Sequence, residues 1–163
     1  MNIEIREGYL PSTIGRVSEL HAEYYHSKVG FGVEFEAKVA TELSEYCLRY
    51  GRERDGLWLA VADGRIEASI AIAGPRGEHE AAQLRWFITS EKCRGTGIGS
   101  KLLETALRFS DAMAYSSVYL WTFAGLPAAR HLYEKSGFKL EEERLGRQWG
   151  GEVKEQRFVR RMA

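Results

Sequence analysis

The sequence predicts a mixed α/β fold in which one central, mostly antiparallel sheet is flanked by about four helices. Three observations lead there. Apolar residues step at helical spacing up to about residue 50 and then alternate with a period of two over residues 57–89. A glycine-rich turn at residues 94–99 runs straight into another helical stripe. No internal repeat, low-complexity tract or Ser/Gly/Pro-rich linker breaks the 163 residues, the length expected of one domain spanning 1–163.

The elements follow in order. A short strand is expected over Ile3–Arg6. After Pro11, the apolar positions Ile14, Val17, Leu20 and Tyr24 mark a helix, and Phe35, Val39, Leu43, Tyr46 and Tyr50 mark a second, with Gly51 placed to stop it. Leu57–Ala62 and Ile66–Ala73 flank Asp63-Gly64, a dipeptide that tolerates the positive φ of a tight hairpin. Ile66, Ala68, Ile70 and Ile72 are expected on one face. Gly74-Pro75-Arg76-Gly77 breaks the run, and a third strand begins near Ala81 with Ala82, Leu84, Trp86 and Ile88 on one side, completing an antiparallel meander.

Ile98, Leu102, Ala106, Phe109 and Met113 stripe the helix after the glycine turn. Ser117–Phe123 is a β-prone run, and Leu126–Lys135 a short helix with Pro127 in its first turn and Gly137 just past its end. Strands around Phe138–Glu142 and Val153–Met162 close the chain.

Lys plus Arg and Asp plus Glu each number 23, so the formal net charge is zero. That balance provides no global attraction to nucleic acid or to an anionic membrane. No apolar run approaches the ~20 residues of a membrane span, and MNIEIREGYL lacks the apolar core of a secretory signal. Two cysteines, Cys47 and Cys93, make no disulfide framework, so a reduced, cytoplasmic protein is expected. His21 and His26, five apart on a helix, have the wrong spacing for joint metal ligation, and no cysteine pair has zinc spacing; no metal is expected.

A strand ending in a glycine-rich turn that opens a helix makes an anion site. The first helical N–H groups lack internal partners, the helix dipole adds partial positive charge, and glycine admits a phosphate close to the backbone. Arg94 adds a guanidinium suited to phosphate. The spacing excludes an ATP P-loop, because Ser100 stands where its second glycine belongs and Leu102 follows Lys101. A dinucleotide fingerprint fails too. Counted from Gly95 or Gly97, its third glycine falls on Ser100 or Leu102, and no acidic residue ends Ser117–Phe123.

What fits is Arg94-x-x-Gly97-x-Gly99, which resembles the Arg/Gln-x-x-Gly-x-Gly/Ala motif of the GNAT acetyltransferase superfamily. Downstream, Ala129-x-x-x-Tyr133-x-x-x-Gly137-Phe138 is similar to that superfamily's second signature. A finer likeness, carried by Leu84-Arg85-Trp86-Phe87 and Leu120–Arg130, is to the acetyltransferase half of bacterial MarR–GNAT fusion proteins. No MarR helix-turn-helix is expected ahead of the strand at residue 3.

The resemblance implies a sheet splayed between its fourth and fifth strands and acetyl-CoA as cosubstrate. Backbone groups of Phe87, Ile88 and Thr89 would bind pantetheine and the thioester carbonyl. The pyrophosphate would lie over Gly95, Thr96, Gly97, Ile98, Gly99 and Ser100, beside Arg94. Tyr133 would protonate the leaving thiolate. The acceptor implied is a primary amine, of a small molecule or a protein, attacking directly in a ternary complex; a homodimer is a state the superfamily allows. An acetyl-CoA-sensing module with little turnover and transfer of another acyl group are the alternatives.

Two positions depart from better-known branches. Trp121 stands where some relatives carry a glutamate base, and Leu126 where an asparagine often begins the second signature. Glu34, Glu36, Glu78, His79 and Glu80 are expected in loops or edges bordering the acceptor side, or simply on solvated surface. Trp86 and Trp121 are expected to pack the core or line an acceptor cleft. Cys93 reads as a small buried residue. Arg157, Arg160 and Arg161 read as a solvated edge able to attract an acidic acceptor.

Overall fold

Two hydrophobic clusters, one on each face of a seven-stranded sheet, organise the chain. The computed structural model describes residues 1–76 and 81–162. The elements are β1 (Ile3–Glu7), α1 (Thr13–Val29), α2 (Val33–Arg49), β2 (Gly56–Ala62), β3 (Arg65–Ala73), β4 (Ala81–Thr89), a 3-10 turn (Glu91–Cys93), α3 (Ile98–Ala112), β5 (Ser117–Phe123), α4 (Pro127–Lys135), β6 (Lys139–Gly146) and β7 (Val153–Arg161). The strand order is β1-β2-β3-β4-β5-β7-β6, antiparallel except for the parallel pair β4–β5. This is the mixed sheet with four helices that the sequence predicts.

β3 lies mid-sheet, and all its residues after Arg65 are buried. One face carries Leu102, Leu103 and Ala106 of α3 and Tyr133 of α4. The other carries Val17 of α1 and Phe35, Val39, Leu43 and Tyr46 of α2. The buried Tyr46 hydroxyl sits 2.7 Å from the Gly56 carbonyl and 2.9 Å from that of Ile72, tying α2 to β2 and β3. Asp63 and Gly64 take φ of 52° and 76°, the hairpin geometry expected of this dipeptide. α2 ends at Arg49, ahead of Gly51, whose carbonyl instead accepts the Arg54 and Asp55 amides.

Two facing expectations fail, both at bulges. Ala60 pairs Ala68 but Val61 pairs Ile66, so Glu67 is an extra residue in β3. Ile66 therefore joins the α1/α2 cluster while Ala68, Ile70 and Ile72 face α3. In β4, Ser69 pairs Ile88 and Ala71 pairs Arg85, leaving Trp86-Phe87 opposite Ile70 alone. Trp86 takes φ 47° and turns to the α1/α2 face, whereas Ala82 and Leu84 face α3. A period-two pattern presumes unbroken pairing, and one inserted residue flips everything beyond it.

The arginine cluster near the C-terminus is also placed differently. β7 lies inside the sheet, and the edge is the charge-rich, exposed β6, a composition that discourages edge-to-edge pairing. Arg160 makes a two-pronged bond to Asp111 at 3.0 and 3.1 Å, while Arg157 and Arg161 both pair with Glu141. All three arginines are paired within the chain. Among the described residues no helix is long and apolar enough to cross a membrane.

Candidate active site

The site begins where a strand pair stops pairing. β4 and β5 pair only at Ala81–Ser117, Ala82–Val118 and Gln83–Tyr119. Beyond Gln83 the strands part, so among the described residues the β5-facing backbone of Phe87, Ile88 and Thr89 has no sheet partner there. The splay lies between the fourth and fifth strands, as expected. The bulge that aims this stretch is held by Ser69, a fully buried residue whose hydroxyl donates to the Trp86 carbonyl at 2.6 Å.

The glycine turn stands at the open end. Gly95 and Gly97 take φ of 78° and 86°, and Gly97 caps α3. Substitution at Gly97 is opposed by this backbone conformation and not by crowding, for a Cβ there would meet nothing within 4 Å. The Lys101 amide is the first to bond back, to the Gly97 carbonyl at 3.2 Å. The Gly99 and Ser100 amides thus lie in the unpaired first turn, with no acidic side chain nearby in that turn to compete for them. The Arg94 guanidinium sits 4.6 Å over the Tyr24 ring of α1. Cys93 is buried beneath the turn, as expected of a small apolar residue.

These groups border a cleft of about 450 Å³, which also reaches Leu132 and Tyr133 of α4. Of the expected cofactor-binding residues, Phe87, Ile88, Thr89, Arg94, Gly95, Gly97, Gly99 and Ser100 line it. The Thr96 hydroxyl donates into the turn, to the Cys93 carbonyl at 2.5 Å, and the Ile98 side chain is buried against α3's neighbours.

A second cavity, of about 280 Å³, opens on the α2 side of the same splay. Four residues line both cavities: Tyr25, Phe87, Thr122 and Tyr133. Tyr133 is 7% exposed, and burial pushes its phenol well above the ordinary value, so it stays protonated. Tyr25 is shifted the same way, again by burial.

Trp86 and Trp121, expected in the core or at an acceptor cleft, both line the second cavity. It also holds groups that the sequence analysis missed: Trp149, in the β6–β7 turn, packs on Phe123 at 5.5 Å between ring centroids. That turn is pinned by the buried Glu155, which accepts from the Gln148 amide at 2.9 Å and from the Gln148 and Arg144 side chains at 3.0 Å. Lys38, Glu42 and Arg85 form a charged trio on the wall. Burial favours the neutral form of Glu42, but hydrogen bonds from Lys38 and Arg85 outweigh it and hold the carboxyl below its usual range. His21 also lines the cavity. Its Nδ1 lies 2.8 Å from the Val17 carbonyl, so the proton sits there and Nε2 is bare. Burial lowers its pKa from 6.5 to about 4 despite that bond.

Glu34 and Glu36 take the solvated-surface alternative, exposed in the first turn of α2 rather than in a loop, and the carboxylate lining the cavity is Glu42, farther along that helix. Glu78, His79 and Glu80 lie outside the described residues. His26 Nδ1 sits 2.9 Å from the Phe31 carbonyl, so the two α1 histidines serve separate backbone contacts. The only signal for the trio in the sequence was Lys38 and Glu42 at i, i+4, indistinguishable from a surface pair.

A splayed parallel pair, a glycine turn opening a helix and a tyrosine between two cavities are the features expected of a GNAT fold. Family comparison agrees: residues 16–138 match the Acetyltransferase (GNAT) family, and the chain belongs to it. It is 31% identical over 121 residues to N-acetylaspartate synthetase of Xenopus tropicalis, an alignment covering 74% of this chain but 44% of that enzyme. The chain thus spans less than half of that relative's length. An uncharacterized N-acetyltransferase of Schizosaccharomyces pombe is 28% identical over 142 residues, covering 86% of this chain and 85% of the yeast protein. A GNAT acetyltransferase structure from Staphylococcus aureus superposes with a TM-score of 0.77 at 18% identity, over 99% of this chain and all of that one. At that identity the superposition speaks for the fold alone.

Proposed function

We propose that this chain transfers the acetyl group of acetyl-CoA to a primary amine by direct attack, with both substrates bound together. The observation that carries the reading is the shared wall: Tyr25, Phe87, Thr122 and Tyr133 border the glycine-turn cleft and the α2-side cavity at once. A thioester threaded through one and an amine entering by the other meet there.

On this reading the Gly99 and Ser100 amides, the α3 N-terminus and Arg94 hold the pyrophosphate. Unpaired backbone groups of Phe87, Ile88 and Thr89 take the pantetheine arm and polarise the thioester carbonyl, fixed in place by the bulge. The amine nitrogen attacks that carbonyl, the new C–N bond replaces C–S, and the Tyr133 hydroxyl donates to the departing sulfur. Burial raises the phenol, but the same dry surroundings raise a thiol's pKa, which narrows the mismatch. The nitrogen's surplus proton passes to solvent through the opening of the second cavity, and Tyr133, left as tyrosinate, regains a proton from solvent before the next turnover. The finer likeness to MarR–GNAT fusion proteins rests on residues 84–87 and 120–130 alone.

The test is calorimetric titration of acetyl-CoA and CoA into wild type and Ser100→Asp, then thiol release across an amine panel. Micromolar-range binding, lost in the variant, with amine-dependent thiol release is expected. Tight binding without thiol release from any amine would favour a sensing module, and no binding at millimolar ligand overturns the reading.

A further inference from the structure

The α2-side cavity carries an unbalanced charge. Glu42 accepts from Lys38 Nζ at 2.6 Å and from the Arg85 guanidinium. One carboxylate therefore serves two cations, and no other charged side chain among the described residues lines this cavity. Both basic groups are partly withdrawn from water, Lys38 at 33% and Arg85 at 24% exposure, where solvent screens them less than on an open surface. Arg85 is further immobilised by stacking, its guanidinium 4.2 Å over the Trp86 ring. Glu42 takes one end of its planar fork, a shape that can grip a carboxylate with two N–H groups.

The remaining walls are mostly aromatic and apolar, Phe35, Val39, Trp86, Phe123 and Trp149 among them, with the polar Gln83, Thr122 and Gln148 interspersed. Such a lining suits a hydrocarbon or ring, while the surplus positive charge suits an anion. A simple alkylamine satisfies only the first. It also arrives as a cation in a cavity that is already positive.

Resting on the transferase reading above, we propose that the acceptor is an amino acid: a primary amine carrying a carboxylate and an apolar or aromatic side chain. Arg85 and Lys38 take the carboxylate, the aromatic wall takes the side chain, and the amine is directed toward Tyr133 where the cavities join. Glu42 plays two parts. It holds the basic pair in place, and it competes with the substrate carboxylate for the same donors.

The experiment compares matched acceptors, L-phenylalanine with phenethylamine and L-leucine with isoamylamine, by thiol release at saturating acetyl-CoA. Wild type, Arg85→Gln and Glu42→Gln are run side by side, with the acetyl-CoA Kd of each measured by calorimetry. A charge-assisted pair of this kind predicts that the amino acid exceeds its decarboxylated counterpart by about 10–100-fold in kcat/KM. Arg85→Gln collapses that ratio toward one without changing the acetyl-CoA Kd, and Glu42→Gln lowers KM for the amino acid by freeing both cations.

Equal or better turnover of the decarboxylated amine in wild type overturns the inference while leaving the transferase reading intact. A preserved ratio in Arg85→Gln overturns the assigned role of the trio. Acetyl-CoA binding with no thiol release from any of the four acceptors overturns the inference, and loss of acetyl-CoA binding itself overturns the transferase reading beneath it. The binding measurement and the acceptor ratio therefore fail separately.

Discussion

His21 makes this fold sensitive to mild acid in a way that can be isolated. It is 6% exposed in α1, bonded through Nδ1 to the Val17 carbonyl and stacked near Tyr25, with no acidic partner among the described residues to compensate a charge. Its folded pKa, about 4, lies below the ordinary 6.5 expected in the unfolded chain. Between those values the unfolded chain takes up a proton that the folded one refuses, so stability falls as pH drops through 6.5 and stops falling below about 4. Over the whole window the difference amounts to about 3 kcal/mol, of which about 2 kcal/mol is lost between pH 7 and pH 5.

The lowered Glu42 carboxyl works in a different range. The stability it contributes is lost as pH falls below its ordinary 4.5, so pH 5 leaves it largely untouched. The perturbation is His21→Gln, which keeps a polar side chain but has nothing to titrate. Thermal unfolding at pH 7 and pH 5 should show the wild type losing about 4–8 °C more than the variant. Parallel losses in the two proteins would refute the argument, since they would show that His21 charges as easily folded as unfolded.

Three further outcomes follow from the site. Ser100→Asp, an exposed substitution in the first turn of α3, places a carboxylate where helix geometry welcomes it. Acetyl-CoA affinity should fall by about 2–3 kcal/mol, a Coulomb estimate at ~5 Å with an effective dielectric of ~20–40, while the melting temperature holds or rises; a melting temperature that falls with the affinity would point to misfolding instead. Tyr133→Phe should lower kcat by about 100-fold with the acetyl-CoA Kd unchanged, and equal losses in both would remove its acid role. Ser69→Ala leaves the buried Trp86 carbonyl without its donor. It should lower stability by about 1–3 kcal/mol in urea titration and reduce kcat by loosening the Phe87–Thr89 backbone; unchanged kcat would separate the bulge from catalysis.

Much of the architecture was legible because its causes are local. Helical and alternating apolar spacings mark α1 to α4 and the β2–β4 meander, Asp63-Gly64 marks the hairpin, and the positive φ of Gly95 and Gly97 explains why the turn needs glycine there. The bulges at Glu67 and Trp86-Phe87 were not legible. An extra residue in a strand is a relation to its partner, and period-two counting along one strand cannot register it. The same holds for the pairing of Arg157, Arg160 and Arg161, whose acidic partners lie on β6 and α3.

The sequence by itself determined the glycine turn, the tyrosine of α4 and the family to which they belong, because each is written within about ten consecutive residues. Only the tertiary structure decided what faces the acceptor. Lys38 and Glu42 are neighbours on α2, but Arg85 is 43 positions beyond Glu42 and reaches it only because β4 packs under α2 and carries its side chain to that face. Charge that accumulates across elements depends on how the sheet twists, bulges and splays. Those are properties of packed strands, and no single stretch of chain contains them.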